Sequence, residues 1–132
     1  MTTLRDELAA APLGHATEYP DAYDPLLLYP VARAPQRDEL GIGAVLPFTG
    51  SDRWTAFELT WLDRQGKPAI AIAAFDVPAT STAIVESKSV KLYLGAFAQT
   101  RFDDAAAVSA VIEQDLARCT GARVPVTLTL PA

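Results

Sequence analysis

The hydrophobic and polar positions of the C-terminal two-thirds of the chain fall into a short series of distinct periods. From Thr55 to Asp63 they alternate, with Phe57, Leu59 and Trp61 on one side and Glu58 and Thr60 on the other. This predicts a strand with one buried face. Asp63-Arg64-Gln65-Gly66-Lys67 then reads as a hairpin loop, and Ala69 to Val77 as a second strand, apolar on both faces and therefore central. The period changes after Ser87. Val90, Leu94 and Phe97 recur at helical spacing, predicting a helix from Ser87 to about Ala98, weakened at Gly95 by about 1 kcal/mol relative to alanine. Asp103 reads as the N-cap of a second helix, running to about Cys119 with a stripe of Val108, Val111, Ile112 and Leu116 and a stop at Gly121. Val124, Val126, Leu128 and Leu130 alternate with Pro125, Thr127 and Thr129 in a last strand. Helices grouped between antiparallel strands predict an α+β fold, an antiparallel sheet with two helices packed on one face. An unpaired edge at Val124–Leu130 is a liability, so either the module is truncated before its last strand or a partner covers that edge.

The N-terminal part is less regular. Residues 1–10 suit a short helix, with Leu4 and Leu8 one turn apart. From Ala11 to Pro47 the chain is interrupted by Pro12, Pro20, Pro25, Pro30, Pro35 and Pro47, each removing a backbone donor and fixing φ. Leu26, Leu27, Leu28, Tyr29 and Val31 are too apolar for a free tail. The expectation is an irregular Pro-rich arm over 1–47, packed on the core or an interface, followed by one module over 48–132.

Composition narrows the classes. A length of 132 residues suits a single core, and 50% hydrophobic with 20% charged residues is ordinary globular composition. The net charge of −5, from 16 acidic and 11 basic residues, argues against broad nucleic-acid binding, which needs a basic face. One cysteine rules out an internal disulfide framework and suits a reducing compartment. Met1-Thr2-Thr3-Leu4-Arg5-Asp6-Glu7 lacks a signal-peptide pattern, and no apolar run reaches the roughly 20 residues of a membrane span. A soluble, cytoplasmic protein is expected.

The richest chemistry lies in Val85-Glu86-Ser87-Lys88-Ser89-Val90-Lys91-Leu92-Tyr93-Leu94, after the turn-forming Pro78-Ala79-Thr80-Ser81-Thr82. A helix starting near Ser87 presents unpaired N–H groups which, with Lys88 and Lys91, favour a phosphate. Glu86 can accept two N–H bonds from a guanine-like edge, since a carboxylate is acceptor-only. Spacing alone favours plainer roles: an acid stabilising a helix N-terminus, and two solvated lysines. Trp54, Trp61 and Tyr93 are of a type that stacks on bases, though packing suits Trp61 better. His15 is the only histidine and falls in the arm, so one His and one Cys cannot build a zinc site. No G-x-G-x-x-G or P-loop is present, and the roles of Arg33, Arg37 and Arg53 stay open.

Glu86 to Tyr93 resembles E-S-K-S-x-K-L-Y, a motif of the NADPH-dependent 7-cyano-7-deazaguanine reductases, the nitrile reductases of queuosine biosynthesis. The similarity continues through Gly95-Ala96-Phe97-Ala98-Gln99-Thr100-Arg101-Phe102. Upstream it includes Pro12-Leu13-Gly14, Tyr23-Asp24-Pro25, Arg37-Asp38-Glu39-Leu40-Gly41-Ile42 and Trp54-Thr55-Ala56-Phe57-Glu58-Leu59-Thr60-Trp61-Leu62, in the order of the N-terminal half of the long, two-module form. The resemblance implies a tunnelling-fold (T-fold) module of two strands, two helices and two strands. It also implies reduction of 7-cyano-7-deazaguanine (preQ0) to 7-aminomethyl-7-deazaguanine (preQ1) with two NADPH, in tRNA modification. On it, Val85, Glu86 and Ser87 line the substrate site and Ser87 and Lys88 contact NADPH; Lys91, not carried over by the resemblance, is left as a candidate secondary contact.

The family reaction needs a cysteine thiolate that attacks the nitrile carbon to form a thioimide. The short form places this cysteine upstream of the motif, but none precedes Glu86 here. The long form carries it, with an Asp and a His-Glu pair, in a C-terminal module. Cys119, at a helix C-terminus whose dipole raises a thiol pKa, reads as a packing residue. No catalytic residue and no metal ligand is therefore expected in this chain. Its expected partners are a small deazapurine, the C-terminal catalytic module and further copies of itself, with no direct nucleic acid and no membrane. The alternative is a non-catalytic module of the same fold that binds a purine-like ligand or serves assembly only. A relationship to the GTP cyclohydrolases, which share the fold, is weaker, because their zinc ligands are missing.

Overall fold

A computed structural model describes residues 22–43 and 45–131. The expected helix over 1–10, His15 and the Pro12-Leu13-Gly14 block lie outside the described residues. The described elements are a 3-10 turn at Pro25–Leu27, β1 (Pro30–Ala32), α1 (Ala34–Glu39), β2 (Ser51–Leu62), β3 (Pro68–Pro78), β4 (Ala83–Val85), α2 (Ser87–Gly95), a 3-10 turn at Ala96–Gln99, α3 (Ala105–Thr120) and β5 (Val126–Thr129).

β2, β3 and β5 form one sheet in that order, antiparallel throughout, with β3 central as its two apolar faces predict. The β2–β3 hairpin closes on Asp63, whose carboxylate accepts the Gln65 and Lys67 N–H groups at 2.9 and 3.0 Å, and on Gly66 at φ 80°. α2 and α3 cover one face. Leu59, Trp61, Ala71, Ala73, Phe75 and Val77 of the sheet meet Val90, Tyr93, Leu94 and Phe97 on one side and Val108, Ile112 and Leu116 on the other. Fully burying one such large apolar side chain contributes about 1.5–3 kcal/mol. The opposite sheet face leaves Ile70 and Ile72 exposed. The fold is α+β, consistent with a tunnelling-fold module.

Several boundaries differ from the sequence expectation. β2 carries a bulge: Ala56 faces Ala73 but Leu59 faces Ala71, so β2 takes three steps where β3 takes two. Trp54 and Ala56 pack on the core before the bulge, and Leu59 and Trp61 are buried after it. Phe57, expected on the buried face, is instead 79% exposed. The extra residue resets the two-residue period, which unbroken alternation cannot anticipate. The first helix ends at Gly95 and tightens into the 3-10 turn. The N-cap of α3 is Asp104 rather than Asp103: its extended backbone (φ −162°) lets the carboxylate accept the Ala107 N–H at 2.8 Å. Gly121 ends α3 in the left-handed conformation at φ 77°, as expected. β5 is shorter than predicted, Val126–Thr129, with Leu130 exposed beyond it.

The stretch expected to be irregular holds the first 3-10 turn, β1 and α1. β1 pairs with β4 in a separate antiparallel pair, Val31 opposite Ile84; Val31 is buried, as is Leu28 just before the strand. The arginines fasten this segment. Arg33 donates to Ser81 Oγ (3.0 Å), Asp52 (3.2 Å) and the Pro78 carbonyl (3.1 Å), and Arg37 donates to the Ala79 carbonyl at 2.6 Å. Arg53 forms a two-pronged cross-strand pair with Asp76 at 2.9 and 2.8 Å.

Candidate functional site

The motif sits where β4 turns into α2. Val85 ends β4 opposite Pro30, with its side chain in the core at 2% exposure. Glu86 is the N-cap of α2, with extended backbone (φ −75°, ψ 137°), and its Oε1 accepts the Ser89 N–H at 2.9 Å. Its carboxylate is buried, 5% exposed. Its own N–H donates to the Tyr29 carbonyl at 2.9 Å. Ser89 completes the junction: its hydroxyl donates to the Glu86 carbonyl at 2.7 Å and accepts the Tyr29 N–H at 3.0 Å. The plainer role open to Glu86 from the sequence, satisfying a helix N-terminus, is thus one that it fills.

Helical geometry divides the motif between two environments. Ser89, Val90 and Tyr93 turn inward, while Ser87 and Lys91 are exposed and Lys88 is half-buried. Ser87 and Lys91 stand one turn apart on a single face. They line an open groove of about 370 Å³ between α2 and the bulged part of β2, whose other walls include Trp54, Phe57, Glu58 and Phe75. The Trp54 ring lies parallel to Phe75, centroids 5.9 Å apart. Trp54 is therefore the one candidate stacking residue beside the groove, because Trp61 and Tyr93 are buried at 2% and 0% exposure. Phe57 and Glu58 join Ser87 and Lys91 only through the bulge, and no local sequence signal announces them.

Burial pushes the Cys119 thiol up to about 11, so it is a neutral thiol at ordinary pH. It packs against the core near the end of α3, apart from the motif. Among the described residues no cluster of three or more His, Cys, Asp or Glu is placed to hold a metal ion, and no helix is long and apolar enough to cross a membrane.

Known proteins resemble the chain along most of its length. Residues 19–128 match the family described as nitrile reductase, 7-cyano-7-deazaguanine-reductase N-term. A Burkholderia mallei protein named NADPH-dependent 7-cyano-7-deazaguanine reductase is 56% identical over 122 residues, covering 92% of this chain and 44% of that protein. A Xylella fastidiosa protein of the same name is 54% identical over 119 residues, covering 90% of this chain and 43% of the relative. The chain thus spans less than half the length of these curated relatives. With the family match running from residue 19 through the Glu86–Tyr93 motif to β5, the chain belongs to the nitrile reductase family, in its 7-cyano-7-deazaguanine-reductase N-terminal part.

Proposed function

We propose that this chain is the N-terminal module of an NADPH-dependent nitrile reductase that converts 7-cyano-7-deazaguanine into 7-aminomethyl-7-deazaguanine, consuming two NADPH and two protons per nitrile in queuosine biosynthesis. Residues 1–47 form its arm and 48–132 its tunnelling-fold module. The observation that carries this function is the junction at Glu86, a buried residue whose carboxylate caps a helix; the next residue, Ser87, lines a groove with aromatic walls, while Val85, Glu86 and Lys88 do not line it. The several acceptor lone pairs of a carboxylate let it hold the Ser89 N–H together with the ring N–H and exocyclic amino group of a guanine-like edge. Val85, Glu86 and Ser87 would supply this edge recognition.

The donor set fits a phosphorylated cofactor. Ser87 offers an exposed hydroxyl at the first turn of α2, Lys88 a cationic side chain beside it, and Lys91 a second cation on the Ser87 face. Ser87 and Lys88 would hold NADPH, which supplies hydride to the nitrile carbon when bound. The part played by this chain is to bind and orient. Cys119 is unsuited to nucleophilic attack, because its thiol is held protonated and packs against the core. The thiolate is assigned to a C-terminal catalytic module in the same enzyme. Association through the exposed sheet face at Ile70 and Ile72 and the β5 edge would bring that module, or further copies, to the site.

A second reading has one observation in its favour. Glu86 is buried and already caps α2, which also suits a copy of the motif kept for scaffold and assembly alone. NADPH oxidation with 7-cyano-7-deazaguanine separates the two, measured with this chain alone and mixed with its C-terminal module. Turnover in the mixture that falls when Ser87 and Lys88 are substituted supports the binding role. Full turnover despite those substitutions supports the scaffold.

A further inference from the structure

Asp115 lies on α3, outside the candidate site, and is 4% exposed. Its Oδ2 accepts the hydroxyls of both Tyr23 (2.5 Å) and Tyr93 (2.6 Å), and its Oδ1 accepts from Arg118 at 2.6 Å. Tyr93 belongs to α2 and Tyr23 to the segment before the first 3-10 turn. The Tyr23 ring packs edge-on against Tyr93 and Phe97 at 6.1 and 5.2 Å, and its N–H donates to Thr100 Oγ1 at 3.0 Å. Burial, and then Asp115, hold both phenols well above their usual range, so both are donors at neutral pH.

A buried, paired carboxylate is weak evidence for stability, since well-packed apolar groups often serve as well. Asp115 joins three parts of the chain: Tyr23, Tyr93 of α2, and α3 itself. The segment fastened at Tyr23 passes through the capped turn at Pro25–Leu27 and the buried Leu28 to Tyr29, whose backbone exchanges hydrogen bonds with Glu86 and Ser89. One end of the segment is thus fixed to α3 through Asp115 and to the last turn of α2 through the Tyr93 ring, and the other to the N-cap of α2.

We propose that Asp115 is a positioning residue: by accepting both tyrosine hydroxyls it latches the N-terminal segment across α2, and the latched segment holds Glu86 in its recognition geometry. The inference rests on the assignment of Glu86 to the substrate.

The test uses Tyr23→Phe, which removes one oxygen, and Asp115→Asn, in the whole reductase. Hydrogen exchange at the Tyr29, Glu86 and Ser89 amides reads the latch without reference to activity. It should quicken about tenfold in Tyr23→Phe, in line with the loss of a hydrogen bond to a charged group. KM for the deazaguanine should rise by a similar factor while kcat stays within about twofold. Combining the two substitutions should cost no more than Asp115→Asn alone, because the groups act as one unit. Unchanged exchange at those three amides refutes the latch. Quickened exchange with an unchanged KM refutes the positioning role and leaves a purely structural one. Absence of turnover by the unsubstituted enzyme refutes the reductase function instead, and the exchange measurement then still decides the latch. Should Asp115→Asn not fold, Tyr23→Phe carries both readouts.

Discussion

Glu86 caps a helix and is proposed to recognise a substrate, and two substitutions separate the roles. Glu86→Ala removes the acceptor of the Ser89 N–H, a group in a fully buried residue. Loss of an N-cap costs about 1 kcal/mol, and a buried donor left unpaired costs about 1–3 kcal/mol. A net loss of about 2 kcal/mol is expected, which for a domain of this size lowers the melting midpoint by about 7 °C. Binding measured in Glu86→Ala therefore mixes recognition with a loosened helix start. Glu86→Gln keeps an amide oxygen for the Ser89 N–H and should melt within about 2 °C of the unsubstituted protein. Toward a guanine-like edge, however, its NH₂ faces a donor where the carboxylate offered an acceptor. A lost hydrogen bond to a charged group costs about 1.5–3 kcal/mol, so Kd for 7-cyano-7-deazaguanine should rise about ten- to hundredfold. Calorimetric titration of the whole enzyme reads Kd, and thermal unfolding of this chain reads the midpoint. An unchanged Kd in Glu86→Gln would refute the recognition role, and an unchanged midpoint in Glu86→Ala would refute the cap.

Three further outcomes follow from the fold. Phe57→Ala should change stability by less than about 0.5 kcal/mol while Leu59→Ala costs about 2–5 kcal/mol, and equal costs in urea unfolding would contradict the bulge. Gly121→Ala forces a side chain into φ 77° with its Cβ 2.5 Å from Thr82 Oγ1, so it should destabilise by about 2 kcal/mol. Gly95→Ala meets nothing within 4 Å in helical backbone and should stabilise by about 0.5–1 kcal/mol; thermal unfolding of the pair checks the opposite signs. For Cys119 the folded thiol pKa is raised to about 11 from an ordinary 9.0, so its stabilising effect is complete below pH 9 and is lost as pH climbs to 11. Iodoacetamide labelling should stay slow at pH 8, and Cys119→Ala should flatten the alkaline decline in stability; rapid labelling at pH 8 would contradict the buried thiol.

The elements that were legible are those whose signal is local. Val90, Leu94 and Phe97 at helical spacing, Gly121 as a stop and the doubly apolar β3 all depend on neighbours within one turn or one strand, and each is where its period places it. The motif Glu86–Tyr93 was likewise visible as a run of residues, and its similarity to a known family named the chemistry before any geometry. Asp104 in place of Asp103 shows the limit of such signals: either carboxylate can cap a helix, and backbone dihedrals choose between them.

What the chain alone could not disclose arises from contacts between distant residues. Phe57 is exposed because β3 pairs out of step with β2, a property of two strands together. The helix start at Ser87 was legible, but the burial of Glu86 and its backbone pairing with the distant Tyr29 were not. Asp115 meets Tyr23 across 92 positions and Tyr93 across 22. Hydrophobic period and turn chemistry act over a few residues, so the sequence by itself determined β2, β3, α2, α3, β5 and the family, but not β1, α1 or β4, which are too short to show a period. The pairing register, the groove and the buried carboxylate depend on which surfaces meet, and only the tertiary structure decided those.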